Sequence, residues 1–382
     1  MTHNLGFGLY VHWPFCQSKC PYCDFNSHVA TSIDQERWKQ AYLSEIARLG
    51  AETQGQILDS VYFGGGTPSL MDPDLVAAIL DSVRQTWRQS NDIEITLEAN
   101  PTSVEAGRFA GYRSAGVNRV SIGVQALQDN ALQRLGRMHT VREARIAIDT
   151  ASAIFSRVNF DIIYARQDQT LAEWRSELKL ALSLATSHLS LYQLTIEDGT
   201  VFHQRRARGL LSGLPGEDLA ADMFDVTQEL CDQAGLPAYE VSNHARLGQE
   251  SRHNLVYWRG GDYVGIGPGA HGRLSVEGRR VATEAIKLPA AWLDSVDRTG
   301  SGEVPRAVLP AAEAGAEYLM MGLRVKEGIR PSRFRMLTGH DLATDKIDDL
   351  VGLKLLTRGQ DRLQATDSGM MVLNAVLRAI LA

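Results

Sequence analysis

The sequence predicts an α/β protein: a partial, six-stranded TIM-like (β/α)6 barrel followed by a C-terminal, mostly helical, winged-helix-like domain. Three observations predict it. Six segments that alternate in the β manner are separated by five stretches with helical spacing, an order that implies parallel pairing through right-handed crossovers. Polar residues gather where those strands end. From Gly199 onwards the βα rhythm weakens and a different kind of structure begins.

Phe7 to His12 alternates and is β-rich, Ile33 to Leu49 has helical spacing, and Ile57 to Phe63 reads as a second strand running into glycines. Further strands are expected at Ile93 to Leu97, Asn118 to Ile122, Arg157 to Ile163 and Leu189 to Leu194, with helices near Leu75 to Trp87, Glu105 to Ala115, Arg142 to Ile154 and Leu171 to Leu184. Beyond them come a helix at Leu219 to Cys231, a short strand at Ala238 to Val241 and a linker at Arg298 to Pro310, "RTGSGEVPRAVLP". Glu317 to Val325 is helical, and the end reads as a small hairpin through Gly359 and a last helix capped near Asp367. The expected domains are a barrel over 1-235, an extension over 236-300 and the helical domain over 301-382.

An open sheet and a barrel can both be built from such units, so the polar residues decide where a site lies. After the first strand comes a cysteine-rich loop; after the second, "GGGTP" at Gly64 to Pro68; closing the third, Glu98 and Asn100; after the fourth, Gln125; within the fifth, Asp161; after the sixth, Gln193. The carboxyl ends of parallel strands carry the site in α/β architectures, so these residues converge on one mouth.

With 382 residues, 44% of them hydrophobic, the chain has ample material for a large core. A formal charge of −6 gives no electrostatic reason to expect nucleic acid. The stretch before Cys16 lacks the marks of a secretory leader, and no apolar run spans a bilayer, so the expected compartment is the reducing cytoplasm. There, clustered cysteines bind metal or do redox chemistry more often than they form disulfides.

Three of the four cysteines, Cys16, Cys20 and Cys23, fall in "GLYVHWPFCQSKCPYCDFNSH". Thiolates at C-x-x-x-C-x-x-C spacing suit a cubane [4Fe-4S] cluster, because a tight loop presents each sulfur to a different iron and leaves the fourth iron without a protein ligand. Structural zinc, with His12 or His28 as fourth ligand, and an inert buried set are the competing readings; zinc usually draws its ligands as two separated pairs.

On these residues the chain resembles the radical S-adenosylmethionine superfamily: Cys16, Cys20 and Cys23 match its cluster motif, and Gly64 to Pro68 follows the second strand as its glycine motif does. The resemblance implies that amino and carboxylate groups of S-adenosylmethionine chelate the open iron, and that an electron from the cluster can cleave the sulfonium. It narrows to the coproporphyrinogen oxidase-like branch and within it to the HemW family of heme chaperones, carried by "LYVHWPFC", "CPYCDFNSH", "VYFGGGTPS", "SIGVQ" and "HNLVYW". By that resemblance Tyr10, Gly65, Gly66, Thr67, Glu98, Gln125, Arg137 and Asp161 line the S-adenosylmethionine pocket. Asp161 and Gln125 can hold ribose hydroxyls, Arg137 can offer its fork to the methionine carboxylate, and the glycines let backbone groups approach the ammonium. Taken singly, Glu98 reads as a helix cap, Asp161 as a satisfied buried carboxylate and Arg137 as a solvated charge.

Phe25 stands two positions beyond the third cysteine, where the oxidases of this branch carry a further thiol; its absence favours the chaperone. His253, Asn254, Tyr257 and Trp258 form the H-N-x-x-Y-W pattern that the resemblance associates with heme, His253 being the expected axial ligand and His271 the second choice. The glycines of "GIGPGAHG" imitate a dinucleotide fingerprint, but Pro268 interrupts it and no long helical pattern follows. After "NFDIIY" the family continues with Gly-Leu-Pro, whereas Ala165, Arg166 and Gln167 follow here, which leaves the loop behind Asp161 open.

The implied function is to bind a cluster, S-adenosylmethionine and heme and to transfer the heme to an acceptor apo-hemoprotein. An electron donor such as flavodoxin or ferredoxin is the expected redox partner, and a homodimer is compatible with the sequence. The enzymatic alternative is oxygen-independent coproporphyrinogen III dehydrogenase, a step of porphyrin biosynthesis. RNA modification would call for an added basic module, which the sequence lacks.

Overall fold

Strict alternation along the strands decides which face of the central sheet is apolar. In the computed structural model, which describes residues 5–381 and only the backbone of 103 and 104, the strands begin with β1 (Phe7–Trp13), β2 (Ile57–Gly65), β3 (Arg88–Ala99), β4 (Arg119–Gln125), β5 (Arg157–Tyr164) and β6 (His188–Gln193). On one face Leu9, Val11, Val61, Phe63, Leu97, Val120, Ile122, Phe160 and Leu189 are all 1% exposed or less. They pack under the helices, each such side chain stabilising the fold by roughly 1.5–3 kcal/mol. The other face carries Tyr10, Tyr62, Thr96, Glu98, Ser121, Asn159, Asp161 and Ser190, and the register sets these side by side: Tyr10 opposite Tyr62, Tyr62 opposite Thr96, Glu98 opposite Ser121, Asp161 opposite Ser190.

These six strands run parallel and in sequence order. Five more complete the sheet: β7 (Asn243–Ala245), β8 (Asp262–Ile266), β9 (His271–Val276), β10 (Arg279–Glu284) and β11 (Ala307–Val308). The order is β11-β10-β9-β8-β1-β2-β3-β4-β5-β6-β7. The two edges do not pair with each other, so the barrel is partial. β8 joins β1 in parallel, with Tyr10 opposite Gly265, while β7, β9, β10 and β11 pair antiparallel.

The helices follow from amphipathic spacing and from their caps. In α1 (Gln35–Glu52), Trp38, Tyr42, Ile46 and Leu49 share the buried face, and Asp34 accepts the first-turn N–H of Arg37. Both α2 (Val141–Ile154) and α3 (Leu171–Leu184) open with a capping box, Thr140 with Glu143 and Thr170 with Glu173.

Several expectations need correction. The strand expected at Ala238 to Val241 reduces to one bridge, Ala238 to His244, because the extended segment itself is Asn243–Ala245. Arg298 to Pro310 is not a free linker: Ala307 and Val308 form the sheet edge, Glu303 binds Arg48 at 2.9 Å, and Arg306 binds Glu52 at 2.6 Å. The helix expected over Glu105 to Ala115 is interrupted after Ala106, where the Glu105 carboxylate is drawn to Ser69 and to the Asn100 N–H. At the C terminus the cap falls near Asp367 as expected, on Thr366, but the single last helix breaks into Asp367–Met371 and Leu373–Leu381. This region has a core of its own, including Leu319, Ile329, Phe334, Leu350, Leu363 and Leu377, and a hairpin of Leu356–Arg358 with Leu363–Ala365. Arg273 to Glu317 at 2.9 Å and Arg259 to Glu327 at 2.7 Å tie it to the sheet.

Candidate functional site

The cysteine loop is closed by its own backbone hydrogen bonds. Phe15–Cys16 pairs with His28–Val29, the His28 N–H donates to Pro14 O at 2.7 Å, and the Cys23 N–H to Cys20 O at 3.1 Å. Beneath it, Gly66 and Thr67 donate backbone N–H groups to Trp13 O and Phe15 O at 2.7 and 2.8 Å. A Cβ at Gly66 would stand 2.7 Å from Phe15 O, and at Gly65, whose φ is +111°, 2.6 Å from the His12 ring. These two glycines are therefore required by the chain's own packing, whereas the sequence suggested room for a ligand's ammonium.

All three loop cysteines are free and line one cleft of about 460 Å³. Each sulfur has a polar neighbour: Thr67 Oγ1 donates to Cys16 Sγ at 3.4 Å, Arg137 Nη1 to Cys20 Sγ at 3.3 Å, and Ser27 Oγ lies 3.9 Å from Cys23 Sγ. Such contacts orient and tune thiolates that ligate iron. Of the histidines that a zinc site would recruit, His12 has both ring nitrogens engaged, Nδ1 with Tyr10 Oη at 3.0 Å and Nε2 with Asn26 O at 2.9 Å, while His28 Nε2 lies 3.2 Å from Asn26 Oδ1. The donor set fits a cluster held by three thiolates.

Gly65, Gly66, Thr67, Glu98, Gln125, Arg137 and Asp161 line the same cleft. Tyr10 lies next door, its hydroxyl 3.0 Å from His12 Nδ1, on a second cavity of about 410 Å³ that shares Phe25, Gly65 and Glu98 with the first. Burial pushes the Glu98 carboxyl up to about 7, against the hydrogen bond from Tyr62 Oη at 2.8 Å, and pushes Asp161 up to about 6, against a bond from Ser121 Oγ at 3.4 Å. A cationic ligand would draw both protons off. Gln125 sits at φ +69°, a left-handed conformation that costs about 1–3 kcal/mol for a residue with a side chain and clusters at functional sites.

Arg137 differs from expectation. Its Nη2 donates to Asn100 Oδ1 at 2.6 Å and to Gly123 O at 2.8 Å, and its Nη1 to Cys20, so most of the fork is spent within the protein. Of its five N–H groups three are used in this way; the second N–H of Nη1 and the buried, unpartnered Nε remain for a bound molecule.

The H-N-x-x-Y-W segment is a helix, α4 (Arg252–Trp258), started by Ser251. His253, 1% exposed, lies beneath the site: Nδ1 is 2.9 Å from Ser60 Oγ, Nε2 is 2.6 Å from Tyr257 Oη, and the ring stacks on Tyr62 at 4.9 Å. Burial lowers its pKa to about 3. Both nitrogens are occupied, so in this structure His253 is a packing residue and not an open axial ligand. Of the four motif residues Tyr257 lines the second cavity; Asn254 and Trp258 do not, and the Trp258 indole N–H is buried without a partner.

The unusual loop after β5 is firmly built. Ala165 takes φ +56°, and the buried Arg166 pairs with Glu177 and receives support from Gln169, while Glu177 also accepts the Leu127 N–H at 2.7 Å. One carboxylate thus fixes the turns that follow Gln125 and Asp161. Sequence reasoning missed Glu177, Tyr62 and Ser121. Tyr62 and Ser121 were marked by alternation along their strands, but Glu177 had no signal beyond being a charge on the apolar side of a helix.

Comparison with known proteins places this geometry. Residues 10–181 match the radical SAM superfamily and residues 309–372 the HemN C-terminal domain. Heme chaperone HemW of Escherichia coli (strain K12) is 38% identical over 98% of this chain and 98% of that protein. HemW of Haemophilus influenzae is 36% identical over 98% and 97%, and a bovine protein, radical S-adenosyl methionine domain-containing protein 1, mitochondrial, 38% over 98% and 87%. The fold matches coproporphyrinogen III oxidase (HemN) from Escherichia coli with a TM-score of 0.81 over 99% of this chain and 90% of that one; at 20% identity this likeness speaks for the fold alone.

Proposed function

Since this chain belongs to the radical S-adenosylmethionine superfamily and, within it, to the HemW family, we propose that it is a heme chaperone that binds heme and passes it to an acceptor apo-hemoprotein. Cys16, Cys20 and Cys23 would hold a [4Fe-4S] cluster, and the adjoining cleft, with Thr67, Glu98, Gln125 and Asp161 on its walls, would take S-adenosylmethionine. When bound, the cluster supplies one-electron chemistry, with a flavodoxin or ferredoxin as donor. The protein's own residues orient the sulfurs, close the loop and keep two carboxyls ready for a cationic ligand.

The observation that carries the choice of chaperone is the kinship with HemW proteins over nearly the whole chain, joined to Phe25. This side chain, 56% exposed, borders both cavities where the oxidase pattern has a thiol. The rival, coproporphyrinogen III dehydrogenase, rests on the fold. We place the carrier in the cytoplasm; among the described residues no helix is long and apolar enough to cross a membrane. The test supplies the reconstituted protein with heme and with coproporphyrinogen III in parallel, with reductant and S-adenosylmethionine present. Heme binding followed by transfer, without protoporphyrinogen IX, is expected; steady multiple-turnover formation of protoporphyrinogen IX would overturn the reading.

A further inference from the structure

The 410 Å³ cavity beside the cluster cleft is built differently from its neighbour. Its wall is aromatic: Phe25 from the cysteine loop, and Tyr257 and Tyr263 in edge-to-face contact at 4.3 Å. At its rim stand His271, the first residue of β9, and Lys287.

Three histidines border or underlie this space, and their hydrogen bonds separate them. His12 gives one nitrogen to Tyr10 Oη and the other to Asn26 O. His253 gives its two to Ser60 and Tyr257. His271 is exposed and neither ring nitrogen has a hydrogen-bond partner. Its burial on one side lowers its pKa, so the imidazole is neutral near pH 7, the form that binds iron.

A flat apolar macrocycle needs aromatic faces, a nitrogen donor at the edge of its pocket and a cation for its carboxylates. We infer that this cavity is the heme site, with His271 as the axial ligand, Phe25, Tyr257 and Tyr263 against the ring, and the Lys287 ammonium set for a propionate. The inference rests on the chaperone reading and adds its location. It gives H-N-x-x-Y-W a physical role as well: His253 and Ser60 brace Tyr257 from behind, so the motif shapes the wall of the site while the iron is bound on the opposite rim. Lys287 now pairs with Glu284 at 3.2 Å on the surface, an exposed contact that a propionate can displace.

The test titrates hemin into the full-length, cluster-reconstituted protein under anaerobic conditions, followed by Soret absorption and magnetic circular dichroism. His271→Ala should lose the histidine-ligated signature and bind at least tenfold more weakly, and free imidazole should restore the spectrum. Lys287→Glu should weaken binding severalfold without moving the Soret band. A wild-type spectrum and affinity in His271→Ala would overturn the assignment while leaving the chaperone reading in place. Absence of any Soret band in the wild-type protein would overturn both. Far-ultraviolet circular dichroism on each variant verifies the fold, which an exposed strand-end substitution leaves intact.

Discussion

Arg137 Nη1 and Cys20 Sγ are 3.3 Å apart, a charged donor on a thiol sulfur. The contact ties the segment after β4 to the middle of the cysteine loop, and it would give Arg137 a role toward a cluster held there. A charge-assisted hydrogen bond favours the more negative thiolate set of the reduced cluster and so raises the potential. Arg137→Ala should therefore lower the cluster midpoint, on the order of 50–100 mV if the bond is worth about 1.5–2 kcal/mol, with Arg137→Lys falling in between. A potentiometric titration followed by electron paramagnetic resonance reads this directly; an unmoved midpoint would leave Arg137 a purely mechanical tie.

The four cysteines should divide cleanly. Cys16→Ala, Cys20→Ala and Cys23→Ala each remove one side of the cleft and should abolish iron incorporation and its charge-transfer absorption. Cys231 is buried in the main core at the far end of a helix over 217–233, and Cys231→Ala should retain the iron with a stability cost of about 1 kcal/mol. Iron analysis and thermal unfolding of all four variants provide the check.

Ligand binding should depend on pH through Glu98 and Asp161. Both carboxyls are raised by burial, to about 7 and about 6, so in the free protein each holds a proton below its value. A sulfonium or ammonium nearby favours the ionised form, so binding releases protons, and S-adenosylmethionine affinity should rise as pH increases from about 5.5 to 7.5 and then level off. The same shifts act oppositely on stability: the folded state holds more protons than the unfolded one, so the contribution of these groups falls as pH rises from about 4, the ordinary carboxylate range, to about 7, and is level above. Glu98→Gln should flatten the upper part of the affinity profile; calorimetry at several pH values would show whether it does.

Arg166 and Glu177 form a buried pair, so the loss of one partner strands the other. Arg166→Ala should destabilise the protein by roughly 3–5 kcal/mol, and the double variant Arg166→Ala with Glu177→Ala by less than the sum of the two single changes. Denaturant unfolding of the four forms closes the cycle, and simple additivity would contradict the coupling.

The six parallel strands and the mouth were legible because two signals agreed. Alternation marked the strands, and Cys16, Thr67, Glu98, Gln125 and Asp161 each stood at or near a strand's carboxyl end. The strand β8 and the start of β9 were not legible, since "GGDYVGIGPGAHG" is too rich in glycine to show alternation, and the strand character there comes from parallel pairing with β1 and antiparallel pairing of β9 with β10. The state of a histidine was also hidden. His253 and His271 look alike in the chain, yet one is sealed between Ser60 and Tyr257 and the other stands open at a rim; what separates them is contact with residues distant in sequence.

Asn26 belongs to the cysteine loop by sequence but spends its amide on the far side, donating to Pro268 O at 2.9 Å and to Lys287 O at 2.8 Å. Its backbone oxygen meanwhile holds His12. One short side chain therefore fastens the cysteine loop to the turn just before β9 and to the segment that follows β10. Asn26→Ala would remove both bonds at once, so it should loosen the cysteine loop and the rim that carries Lys287 together.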